Sequence, residues 1–239
     1  MKFFDEYTSK YDMNVEKIKY KYDHSYRVMD NMIIIAKELG LTQEDIELAK
    51  CIGLLHDISR FYQFTKYKTF SDKFLDHGNY SVEIIKKENA LKYFNVKEED
   101  YNVVYKSIIN HNKYSIESGL TERELLFSKM IRDADKLDIL YSLSLSGLEQ
   151  IFRVDNSIIN DKLKNDFYNN KMLDYNDIKT NNDNILTILA YPYDIYLDIS
   201  LKIIINNNYY EKIYNKLKNK EIFKEYFEYI KKYIEERVD

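Results

Sequence analysis

The stretch Ile52-Gly53-Leu54-Leu55-His56-Asp57-Ile58-Ser59-Arg60-Phe61 sets an imidazole and a carboxylate directly after an apolar run. Upstream, Thr42 with Asp45 three residues on resembles a capping box. It opens a helix through Ile46, Ala49, Ile52, Leu54 and Leu55 that is expected to end near Asp57–Arg60. The segment is apolar nearly all round, which predicts a central buried helix. A carboxylate delivered there needs a counter-charge, hydrogen bonds or a metal, because an unpaired ion in a core costs several kcal/mol.

Working outward, apolar residues recur at helical spacing from about Tyr22 to Leu39, with Gly40 as the stop. This helix carries His24 on one face with Val28 and Met32, so His24 is expected to point inward. A polar and aromatic loop is expected from Ser59 to Asp76, then a third helix starting near His77 and a fourth from about Glu98 to Asn110 that delivers His111. Thr121 with Glu124 has true capping-box spacing and opens a fifth helix through Ile131, Asp135 and Ile139. Beyond Gly147 the pattern stays helical, without histidine, and the chain's one proline is Pro192. The expectation is an all-α protein: a helical core over 1–147 and a helical extension over 148–239 that completes the fold and covers the pocket as part of one structural unit.

Composition narrows the classes. Glycine and proline number 5 and 1 in 239 residues, about a fifth of their usual share, which leaves little for a β-sandwich or a Gly-rich nucleotide loop. The net charge is −4, and no basic run marks a nucleic-acid polymer as partner. The single cysteine, Cys51, can make no internal disulfide and fits a reducing cytoplasm. Asp5 and Glu6 stand where a signal peptide would be apolar, and no apolar run approaches ~20 residues, so neither export by that route nor a membrane span is expected. Composition leaves a homo-oligomer open.

All four histidines, His24, His56, His77 and His111, fall in or at the end of different expected helices. Any one alone reads as a core histidine satisfied by a backbone carbonyl. Four of them, with Asp57 and a further inward-facing aspartate, read as a shared centre. Imidazole with carboxylate suits zinc, manganese or iron, and the lack of clustered cysteines argues against a thiolate zinc site.

The order His24, then His56-Asp57, then Asp135 within Arg132-Asp133-Ala134-Asp135-Lys136-Leu137-Asp138 resembles the HD-domain metal-dependent phosphohydrolase superfamily over about Tyr20 to Leu145. His77 before Gly78, and His111 between Asn110 and Asn112, match the two extra histidines of its six-ligand, two-metal branch. The resemblance implies one divalent ion on His24, His56, Asp57 and Asp135, and a second on Asp57 as a bridge with His77 and His111. Manganese or iron is expected, with magnesium, cobalt, nickel or zinc as alternatives. Asp133 lies about 200° round the helix from Asp135, so it is expected to be solvated or to accept from N–H groups, whereas Asp138 is expected to orient a histidine.

The same resemblance implies hydrolysis of a phosphate ester or anhydride of a small molecule, a nucleotide first, through water activated by the metals. Asp57, Arg60 and Lys113 are the expected catalytic set. Arg60 reads either as a phosphate clamp or as a last-turn arginine that only favours the helix dipole. Lys113 and Lys136 read as phosphate contacts or as surface lysines. Tyr62, Phe64, Tyr67 and Phe70 read as a base or sugar pocket or as loop anchors. Many members have glycine where Ser59 stands, and the cyclic-dinucleotide branch has a lysine in place of Arg60 and a Gly-Tyr-Pro element absent here, so that specificity is unsupported. The rival readings are a di-iron oxygenase on the same ligands and a non-catalytic, metal-stabilised ligand-binding protein.

Overall fold

The computed structural model describes residues 1–147, 156–218 and 220–238, and among them there is no β-strand. The all-α expectation holds. Two compact units emerge, Met1–Asp135 and Lys136–Asp239. The expected start of the C-terminal extension, residues 148–155, lies outside the described residues.

In the first unit, α1 (Lys2–Thr8) precedes α2 (Glu16–Glu38), which starts earlier than its apolar periodicity suggests because the first turn is polar. Its buried stripe is Ile18, His24, Ser25, Val28, Met29, Met32, Ile35 and Ala36, the three-and-four spacing that lets one helix face enter a core. The end closes as expected: Gly40 N–H donates to Lys37 O and Leu41 N–H to Ala36 O, the paired bonds of a Schellman stop. Helix α3 (Gln43–Leu55) is capped by Thr42, whose side chain accepts from Asp45 N–H, and packs along α2 with Leu48, Ala49 and Cys51 through Leu55 all buried.

The chain then departs from the sequence reading. Helix α3 stops at Leu55, with His56 as its C-cap, and a new helix, α4 (Ser59–Tyr67), occupies part of the expected loop. The polar character that suggests a loop comes from residues whose partners are internal. Gln63, fully buried, accepts from Arg60 and donates to Ser71 O and Leu75 O, and Ser59 donates to His77 O at 2.8 Å. Arg60 therefore sits in the first turn of α4 rather than the last turn of α3. The dipole there disfavours a cation, so the helix-dipole reading of Arg60 is overturned.

Helix α5 (His77–Lys87) is capped by Asp76, α6 (Tyr101–Asn110) ends at His111, and α7 (Glu122–Ser146) begins with Thr121 and Glu124 bonded reciprocally at 2.8 and 3.2 Å. Asp133 is fully buried, which corrects the solvated reading.

The second unit contains α8 (Asp161–Tyr168), α9 (Asn181–Leu189), α10 (Asp198–Asn206), α11 (Tyr209–Asn215) and α12 (Lys224–Val238). Its core gathers aromatic rings around Phe167, which meets Tyr168, Tyr193, Tyr226 and Tyr229. Pro192 lies in a short 3₁₀ turn, Tyr191–Asp194. No helix among the described residues is long and apolar enough to cross a membrane.

Candidate metal centre

Two close helix contacts assemble the centre, each at a glycine. A Cβ on Gly53 would lie 2.7 Å from Met29 Cα, so α3 approaches the α2 backbone only because that atom is missing. The contact brings His56 Nε2 to 3.3 Å from His24 Nε2. Likewise a Cβ on Gly78 would lie 3.0 Å from Ile108 O and 2.6 Å from the Asn112 side chain. That contact sets His77 Nε2 3.0 Å from His111 Nε2.

Between the two pairs stands Asp57, 2% exposed, and its carboxylate is divided between them. Oδ2 lies 3.5 Å from His24 Nε2 and 3.6 Å from His56 Nε2, whereas Oδ1 lies 3.4 Å from His77 Nε2 and 3.6 Å from His111 Nε2. Asp135, on α7, joins the first pair, 3.2 Å from His24 and 3.9 Å from His56. Asn31 donates to Ala134 O at 3.0 Å and fixes that stretch of α7 against α2.

The outer ring nitrogens fix the tautomers. His56 Nδ1 is 2.7 Å from Gly53 O and His111 Nδ1 is 2.6 Å from Ile108 O. A carbonyl only accepts, so both Nδ1 atoms carry the proton. His77 Nδ1 donates to both oxygens of Asp72, at 2.6 and 2.8 Å. Burial holds His56 down at about 3, and burial with the neighbouring Arg60 holds His77 at about 4, so both are neutral at pH 7. Their Nε2 atoms therefore aim lone pairs at the centre. Burial alone would raise Asp57, but the charges of Lys21 and Arg60 outweigh it and keep the carboxyl ionised. Asp135 is also held ionised against burial, chiefly by His24.

The Nε2 lone pairs of His56, His77 and His111 and the Asp57 oxygens at such range repel one another unless a cation lies between them. Asp57 Oδ1 is buried without a hydrogen-bond partner. Ions bound at ~2.0–2.2 Å hold neighbouring ligands about 3–3.5 Å apart, the range of most separations above. His24, His56 and Asp135 place ligand atoms within 4.8 Å of one another, as do His56, Asp57 and His111. The donor set thus fits divalent metal.

The other expected site residues are distributed differently. Arg60 reaches the centre: NH1 is held by Gln63, Phe70 O and Asp72, NH2 is 3.1 Å from His77 Nε2, and buried Nε has no hydrogen-bond partner. Lys113 pairs with Asp76. Lys136, in the second unit, is buried against Asp194 at 2.6 Å. Phe70 packs on Phe64 and lies beneath Lys21 and Arg60, whereas Tyr62 meets Tyr80 and Tyr67 meets Phe74. Of the four aromatics, Phe70 is the one in contact with those two cations beside the centre, and Phe64 backs it.

Sequence reasoning missed three contributors. Lys21, one helical turn before His24 and so on its face, has Nζ 2.5 Å from Asp57 Oδ2. Asp72 is the partner of His77, and Arg132 donates to Asn110 O and Lys113 O, holding the end of α6 that carries His111. Only Lys21 had a signal, its spacing from His24.

A family model for the HD domain matches residues 22–140, which contain all six converging residues. Neither the curated proteins nor the solved structures contain a match to this chain. By that match the chain belongs to the HD-domain family, whose members are in general metal-dependent hydrolases.

Proposed function

We propose that this protein is a phosphohydrolase of small phosphorylated molecules, nucleotides first, working in the cytoplasm with two divalent ions, manganese or iron. His24, His56, Asp57 and Asp135 would hold one ion, and Asp57, His77 and His111 the other. The observation that carries the reading is the division of Asp57, whose two oxygens face different histidine pairs. Bound divalent ions supply water of lowered pKa and positive charge towards phosphoryl oxygens.

The chain's own groups then have distinct tasks. Asp57 joins the two ligand sets. Arg60, anchored through NH1, directs NH2 at His77 Nε2 and Nε towards Asp57 Oδ1; with an ion on those two ligand atoms, a phosphoryl oxygen would take their place as acceptor. Phe70, under the cations, bounds the space for the group that carries the phosphate. Lys113 would reach a substrate only by leaving Asp76.

The test is metal analysis of protein supplied with manganese or ferrous iron, followed by a phosphate-release screen over phosphorylated metabolites with oxygen uptake recorded in parallel. Metal-dependent phosphate release supports the reading. Oxygen uptake without phosphate release transfers the site to the di-iron oxygenase class, and absence of bound metal overturns both.

A further inference from the structure

Among the three histidines with an assigned outer-nitrogen partner, His77 is held differently. His56 and His111 are C-caps of α3 and α6, so each ring reaches a carbonyl three residues back on its own helix, Gly53 O and Ile108 O. The last carbonyls of a helix have no partner within it, and these rings satisfy one each. His77 opens α5 instead. A helix start offers unpaired N–H groups and no carbonyl, so the acceptor for His77 Nδ1 has to come from elsewhere.

It comes from Asp72, on the connection between α4 and α5. Besides both bonds from His77, Asp72 accepts from Arg60 NH1 at 3.2 Å and from Asn112 Nδ2 at 3.0 Å. One carboxylate is thereby fixed by α4, by α5 and by the segment after α6. Its orientation does not rest on the connecting loop alone.

We infer that Asp72 is the positioning residue of the second ligand set, fixing His77 with its proton on Nδ1 so that Nε2 presents a lone pair beside Asp57 Oδ1 and His111. The inference rests on the two-ion reading for its effect on metal and on geometry alone for its effect on the ring. A carboxylate behind a ligating imidazole also makes that imidazole a better donor. None of these bonds to Asp72 comes from the first set, His24, His56, Asp57 and Asp135.

The experiment compares the parent with Asp72→Ala and Asp72→Asn. Long-range ¹H–¹⁵N spectra of the metal-free proteins read each histidine tautomer, and equilibrium dialysis against Mn²⁺ reads the binding of each ion. In the parent, His77 carries its proton on Nδ1. Asp72→Ala should convert His77 to mixed tautomers and weaken the second ion by ~10–100-fold, with the first unchanged. Asp72→Asn, whose amide oxygen still accepts, should keep the tautomer and recover most of the affinity. His56 and His111 are internal controls, since their acceptors are their own helices and general structural damage would move them as well. An Asp72→Ala protein with the parent's His77 tautomer and the parent's second-ion affinity overturns the inference. If the parent takes up only one ion at any Mn²⁺ concentration, the two-ion reading fails, and the tautomer comparison alone decides the role of Asp72.

Discussion

Lys21 Nζ lies 2.5 Å from Asp57 Oδ2, with the two side chains 14% and 3% exposed. The ammonium supplies a full positive charge beside the carboxylate that both histidine pairs face, and it rests on the Phe70 ring. Without metal, Lys21 is the nearest counter-charge to Asp57. With metal, it stands on the same carboxylate oxygen that the first ion would use.

Lys21→Met should therefore destabilise the metal-free protein, at about the lower end of the ~3–5 kcal/mol expected for breaking a buried pair, because Arg60 Nε remains 3.4 Å from Asp57 Oδ1. Added Mn²⁺ should raise the melting temperature more in the variant than in the parent, since the ion no longer competes with the ammonium. Denaturant and thermal melts with and without Mn²⁺ check this. Equal metal-induced shifts would remove the competition.

Asp57→Ala should abolish binding of both ions and with it nearly all activity. His77→Ala should empty mainly the second set and leave about one ion per chain. Elemental analysis after desalting reads both, and unchanged metal content in Asp57→Ala would end the bridging role.

Arg60→Ala at full metal loading should lower kcat/KM on an identified phosphorylated substrate by about ten- to hundred-fold, the ~1.5–3 kcal/mol of one charged hydrogen-bond partner. Because Arg60 NH2 also approaches His77 Nε2, metal content has to be matched first. Equal specificity constants would leave Arg60 with an architectural role only.

The metal-free protein should lose stability as pH falls below about 6.5. His56 and His77 bind protons in the unfolded chain near 6.5 but in the folded chain only near 3 and 4. Between those values the unfolded state binds more protons, so stability rises with pH. Each histidine contributes at most about 1.4 kcal/mol per pH unit. Asp72, held at about 2 mainly by its bonds from His77 against the opposing effect of burial, adds a further loss below the ordinary carboxylate range. Denaturant midpoints of chelator-treated protein from pH 8 to 4 test the slope, and a flat profile would contradict neutral buried imidazoles.

Gly53→Ala should be costlier than Gly78→Ala. The first Cβ meets backbone, Met29 Cα at 2.7 Å, whereas the closest atom to the second belongs to a side chain, Asn112 Oδ1 at 2.6 Å, which can turn away. Overpacking of this kind costs ~1–3 kcal/mol, and paired denaturation curves rank the two. The reverse order would mean that α2 and α3 separate more readily than α5 and α6.

The histidines that converge, and Asp135, were legible because each sits on or caps a periodic helix, and periodicity states which way a side chain points; Asp57 followed from its place directly after His56. His24 with Val28 and Met32, and His56 after Leu55, are of this kind. Asp72 was not legible as a partner of His77, because a loop residue acquires its partner from the tertiary fold. Ser59 to Tyr67 read as a loop for a related reason: Gln63 is polar yet fully buried, answering carbonyls that exist only after folding. Asp133 read as solvated or as an acceptor of N–H groups, and its full burial removes the first of these.

The bonds from His56 and His111 to Gly53 O and Ile108 O have an evolutionary consequence. Each ring closes the end of the helix that delivers it, so one replacement there withdraws a donor atom and also leaves a carbonyl open. Drift towards an inactive descendant by gradual erosion of the centre is obstructed at these two positions, because the first step already frays α3 or α6. His77 carries no such double duty, as its outer bond belongs to a side chain. On the two-ion proposal, a lineage that sheds the second ion would find that exit the least damaging to the rest of the molecule.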